Sequence, residues 1–171
     1  MQLRERSQSI AGMTYEALLG LSAFALASSL TPGPNNLMLM ASGANFGILR
    51  TVPHMLGIGI GFTFMVFAVG TGLAGVFEAW PGLKRGMTVV GVIYLTWLAC
   101  KIARAGAPGD ARTQARPMTF WQAVLFQWVN PKAWVMALTA VTIYAPDTGA
   151  GAILFVAFVF GAINLPSVSV W

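Results

Sequence analysis

The sequence predicts an all-α integral membrane protein, and three observations carry that prediction. Hydrophobic residues fill 57% of the 171 positions and charged residues only 9%, against about a quarter charged in an ordinary globular chain. The mean hydropathy is +0.72. The charges also fall in clusters, separated by uncharged stretches that match the roughly 20 residues a helix needs to cross about 30 Å of hydrocarbon. We therefore expect residues 1–171 to form a single transmembrane domain of five helices, with no room for a soluble domain. A first half covers about 14–104, a cytoplasmic-type loop covers 105–117, and a second half covers 118–171.

The first element follows a polar amino terminus, Met1 to Thr14, that carries Arg4, Glu5 and Arg6. No charge then appears from Ala17 to Leu49, a run longer than one straight span requires. A cleaved signal peptide is a weaker alternative, with Ala25-Leu26-Ala27 resembling a cleavage site. Against it, apolar sequence resumes directly after Thr31-Pro32-Gly33-Pro34-Asn35-Asn36. Two prolines and a glycine in three positions remove backbone donors and helical preference, so the helix must break there. Backbone groups freed at membrane depth need protein or a water-filled cavity to satisfy them. Asn35 and Asn36 supply amide donors and acceptors beside the break, which points to a cavity.

The second span runs from about Thr51 to Phe77, with Gly57 and Gly61 in a G-x-x-x-G pair. Small residues at that spacing let helix backbones approach closely, so packing is the expected role. His54, the single histidine, reads first as an interfacial or hydrogen-bonded residue. Its ordinary pKa near physiological pH also makes it a candidate proton carrier. The third span, about Lys84 to Arg104, places Tyr94, Trp97, Lys101 and Arg104 on one helical face, the pattern of aromatic and snorkelling residues at a membrane interface.

The fourth segment, Met118 to Tyr144, is interrupted by Asn130-Pro131-Lys132-Ala133. Lys132 is the one formal charge well inside a long apolar run, and a charge at depth costs enough to mark a functional or cavity-facing position. Gln127, Asn130 and Trp134, spaced by three and four, would share one helix face along the same cavity. The fifth segment, Thr148 to Trp171, carries no charge. Each half thus opens with a membrane segment broken by proline beside asparagine, as in transporters whose discontinuous helices meet at the substrate.

Other classes fare worse. A net charge of +5 spread between apolar runs flanks spans rather than forming a nucleic-acid face. One Cys and one His leave no disulfide, no thiolate cluster and no converging catalytic set, so neither metal nor cofactor nor enzymatic activity is expected. A structural or assembly subunit is the alternative from another class. Lys and Arg favour the central loop inside, which by parity leaves the amino terminus outside.

Thr31-Pro32-Gly33-Pro34-Asn35, the following Gly43 and Gly47, Tyr94-Leu95-Thr96-Trp97-Leu98 with Lys101, and Asn130-Pro131-Lys132-Ala133 resemble the LysE/RhtB family of bacterial amino-acid exporters. The resemblance covers essentially the whole chain. It implies a multi-pass exporter of amino acids or related small metabolites in the bacterial inner membrane, energised by the proton gradient or the membrane potential. By carry-over, Pro32, Gly33, Pro34 and Asn35 form the first broken helix of the substrate path, and Asn130, Pro131 and Lys132 the second. Family members carry a sixth hydrophobic segment, so a 3+3 inverted repeat with helices 1 and 4 broken is expected, with this chain reading as one helix short and an inactive truncated form as the corresponding alternative. Asn35, Asn36, Gln127 and Asn130 would then face a small zwitterionic substrate, with Lys132 on its carboxylate. The expected partners are that substrate and the lipid bilayer, no nucleic acid, and a homo-oligomer is left open.

Overall fold

The computed structural model describes residues 2–73, 116–145 and 149–171, with isolated positions between 75 and 100. Most of the expected third span, including Tyr94, Trp97, Lys101 and Arg104, and the 105–115 part of the central loop lie outside the described residues. Every regular element among those described is helical, and the protein is an all-α membrane protein.

The chain opens with α1 (Gln2–Leu30) and, after a three-residue break, continues as α2 (Pro34–Phe46). The two are bent by 56°, and together the apolar part of α1 from Tyr15 and the whole of α2 have the length and composition of one broken span. Pro34 is the first residue of α2, where a missing N–H costs nothing and the fixed φ already suits a helix. Gly47, at φ 78°, makes the one-residue turn into α3 (Ile48–Ala68), a conformation open to glycine at little steric cost. Across that turn the hydroxyls of Ser42 and Thr51 lie 2.8 Å apart. A π-helical segment (Val69–Leu73) extends α3, and the continuous candidate span is Ile48–Gly72. Within the π-helical segment Gly72 leaves helical geometry at φ 116°, and Phe77, the expected end of the span, lies outside the described residues.

In the second half, α4 (Phe120–Val129) begins with a reciprocal cap. The Gln122 backbone N–H donates to the Thr119 hydroxyl at 3.3 Å, and the Thr119 N–H donates to the Gln122 side-chain oxygen at 2.9 Å. Asn130 then breaks the segment at φ −85°, ψ 109°, and α5 (Pro131–Tyr144) starts on proline as α2 does. Neither α4, at 10 residues, nor α5, at 14, is span-length alone. The last element, α6 (Ala150–Val168), is long and apolar enough to cross by itself.

The core lies where α1, α3, α5 and α6 meet. Leu21 and Ala25 of α1 pack there with Phe62, Met65 and Val66 of α3, Ala137 and Ala140 of α5, and Val156 and Phe160 of α6. Phe24 sits edge-on to Phe160 at 5.7 Å and stacks on Tyr144 at 6.2 Å. Glycines set how closely the helices approach. A Cβ on Gly61 would lie 2.8 Å from the Val124 Cα, and one on Gly57 would run into the Phe120 carbonyl. The Gly57 and Gly61 pair therefore seats α4 on α3, the packing role its spacing suggests. On the other side a Cβ on Gly59 would lie 2.9 Å from Leu165 Cδ1 of α6, and one on Gly161 of α6 would run into Thr63. The outward faces stay apolar: Ile60, Phe64, Leu125 and Phe158 are all more than half exposed. A continuous apolar exterior of this kind requires lipid rather than water as its solvent.

Candidate substrate site

The two breaks meet. The pocket between them, partly open to the outside, is lined by Gly33, Asn35 and Asn36 from the first break and by Gln127, Asn130 and Lys132 around the second. Pro32, Pro34 and Pro131 are not among the lining residues: Pro32 lies within the first break, and Pro34 and Pro131 begin α2 and α5. Ser28, Ser29, Phe62, Met136 and Asn164 complete much of the wall.

Each break leaves carbonyls that a continuous helix would have used, and the side chains selected from sequence satisfy them. The Asn36 amide, on a residue only 3% exposed, donates to the Ser29 carbonyl at 2.9 Å and to the Thr31 carbonyl at 3.1 Å. Lys132 reaches across from the other half, and its ammonium donates to the same Thr31 carbonyl. Asn35 Nδ2 donates to Gln127 Oε1 at 2.9 Å, while Gln127 Nε2 donates to the Ala123 carbonyl at 2.8 Å. Asn130 caps α5 by accepting from the Lys132 backbone N–H at 3.1 Å.

Gly33 has φ −161° and ψ 178°, extended backbone open to any residue, so conformational freedom does not explain its presence. Proximity does. A Cβ at Gly33 would stand 2.7 Å from the Lys132 Cδ, so the absence of a side chain opens the channel through which the lysine reaches Thr31.

The site is electropositive by construction. First-turn residues of α2 and of α5 line one pocket with the Lys132 ammonium, and helix N-termini carry partial positive charge. Among the described residues no carboxylate forms an ion pair with Lys132, whose ammonium donates to the Thr31 carbonyl instead. Such a surface favours an anionic group.

Two expectations need correction. Trp134 does not line the pocket with Gln127 and Asn130. The helix breaks at Asn130, so the phase connecting those positions is lost, and the Trp134 indole instead donates to the Trp128 carbonyl at 2.8 Å. His54 is neither interfacial nor hydrogen-bonded: it is 1% exposed, with no partner for either ring nitrogen. It lies outside the pocket lining, on the face of α3 that carries Gly57 and Gly61. The sequence reading also missed Asn164. The signal was present, since Asn164 is the first polar side chain in the apolar run of α6, and a polar group at depth is informative for the same reason that Lys132 was.

Comparison with known proteins agrees with this geometry. The LysE type translocator family matches residues 26–165, a stretch containing both breaks and every pocket residue named above. The chain is 30% identical over 141 residues to the cysteine/O-acetylserine efflux proteins of Escherichia coli O139:H28 and of Escherichia coli K12. The match covers 81% of this chain and 71% of each relative. A cysteine/O-acetylserine efflux protein of Salmonella paratyphi A is similar to the same degree, 30% over 142 residues. No solved structure matches the chain. The two proline-broken segments, joined at a polar pocket in an all-helical membrane fold, are those of a transporter, and the chain belongs to the LysE type translocator family.

Proposed function

We propose that this chain exports small neutral amino acids across the bacterial inner membrane, binding each as a zwitterion between the two broken helices. The observation that carries the proposal is the Lys132 ammonium held at the first break, beside the N-terminal turns of α2 and α5. A substrate carboxylate would take the ammonium from the Thr31 carbonyl and settle against both helix ends. The fixed positive charge disfavours a cationic side chain, consistent with relatives whose names specify cysteine and O-acetylserine, both neutral overall as zwitterions. Exchange of the access side would follow from rocking of the two halves in a 3+3 inverted repeat, with Asn35 and Gln127 parting across the seam.

Energy would come from the proton gradient or the membrane potential. Among the pocket-lining residues there is no carboxylate, which leaves buried, unpartnered His54 as our candidate for proton coupling.

Expression of the chain in cells loaded with labelled neutral amino acids, beside an empty vector, is the direct test. Faster efflux of at least one is expected, with Asn35→Ala and Lys132→Ala each reducing it about tenfold or more. Unchanged efflux in both variants would overturn the site, and no efflux of any amino acid would overturn the function.

A further inference from the structure

Asn164 occupies an unusual position among the pocket-lining side chains. It is 3% exposed, and its Nδ2 donates to the Ser29 hydroxyl at 2.9 Å, yet its Oδ1 has no hydrogen-bond partner. Among the described residues it supplies the one buried side-chain oxygen left in that condition, the other unpartnered buried atoms being the two ring nitrogens of His54. A buried carbonyl oxygen without a donor is penalised and rarely kept without a reason. An asparagine serving α6 only as a structural link to α1 would need just its amide hydrogens.

The rest of the pocket indicates which donor is missing. Asn35 and Gln127 are engaged with each other, Asn130 holds the first turn of α5, and Asn36 holds the end of α1. Lys132 is a cation and therefore a partner for a carboxylate. A zwitterion also brings an ammonium group with three donors, which needs an acceptor of its own. Asn164 enters from α6, an element that belongs to neither break.

We infer that Asn164 binds the substrate's α-ammonium group through Oδ1, with Ser29 holding the side chain in place through its other end. This rests on reading the pocket as a zwitterion site and adds the residue by which an amino acid is told from the same acid without its α-amino group. Sites built to hydrogen-bond a group reject analogues lacking it, because their own polar atoms are then left unpaired.

The test uses everted membrane vesicles containing the chain, labelled L-serine as the transported probe, and unlabelled L-serine or its analogue without the α-amino group, 3-hydroxypropanoate, as competitors. Wild type is expected to accumulate serine and to be inhibited at least tenfold less well by 3-hydroxypropanoate than by unlabelled serine. Asn164→Leu should raise the half-saturation for serine about tenfold and abolish the discrimination. Asn164→Asp is nearly isosteric, places oxygen at both terminal positions and adds negative charge, so it should retain or widen the discrimination. Ser29→Ala should leave the discrimination in place. If Asn164→Leu and Asn164→Asp both discriminate as wild type does while serine is still transported, Asn164 is structural and the inference is overturned, with the exporter reading intact. Should Asn164→Leu fail to reach the membrane, the Asp variant decides: lost discrimination there overturns the inference. If the wild-type chain accumulates neither serine nor any other amino acid, the exporter reading fails and the ammonium assignment falls with it.

Discussion

The side chains at the breaks replace hydrogen bonds that proline and glycine removed. Asn36 is the clearest case, since its amide serves the Ser29 carbonyl inside the protein and shares the Thr31 carbonyl with Lys132. Asn36→Ala should destabilise the protein by about 1–3 kcal/mol, the cost of stranding a buried acceptor, seen as earlier thermal unfolding in detergent. His54 poses a different question, because it is buried without partners and apart from the pocket. If it carries the coupling proton, His54→Asn should leave potential-driven export in place and abolish its dependence on a pH gradient, measured in vesicles with each gradient imposed separately. Equal loss under both conditions would make it a packing residue. At this scale the sequence was informative: Asn35, Asn36, Gln127, Asn130 and Lys132 stood out as polar groups in apolar runs, and all of them line the pocket. Asn164 obeys the same rule, standing in the uncharged run of α6.

Helix position is governed by what two backbones allow between them. Gly61 faces the Val124 backbone, which has no rotamer through which to yield, whereas a Cβ on Gly43 would meet nothing within 4 Å. Gly61→Val should therefore cost about 2 kcal/mol or more through overpacking, or prevent accumulation in the membrane. Gly43→Ala should be neutral or slightly stabilising, since alanine is the better helix former. Comparing the two variants by melting temperature separates helix seating from a general intolerance of side chains in place of glycine. The G-x-x-x-G spacing made this contact legible from sequence, although the spacing alone did not say that the partner is α4.

For the molecule as a whole, function depends on a seam between distant parts of the chain. Asn35 and Gln127 are 92 positions apart, and Lys132 and Thr31 are 101 apart, yet each pair is hydrogen-bonded. A double-mutant cycle on Asn35→Ala and Gln127→Ala should show a coupling of about 0.5–1.5 kcal/mol, the double variant being little less stable than either single one; simple additivity would mean the seam is not held there. The sequence by itself determined the solvent and the interruptions. Apolar composition demands lipid, and proline lacks the N–H a helix needs wherever it falls, so both are properties of short stretches. The tertiary structure decided which interruptions meet, that Lys132 donates to Thr31 rather than snorkelling outward, that Trp134 leaves the pocket, that His54 is enclosed, and that Asn164 joins the wall from a third direction. Periodicity carries side-chain direction only along an unbroken helix, and it is at the breaks, where that phase is lost, that this protein builds its site.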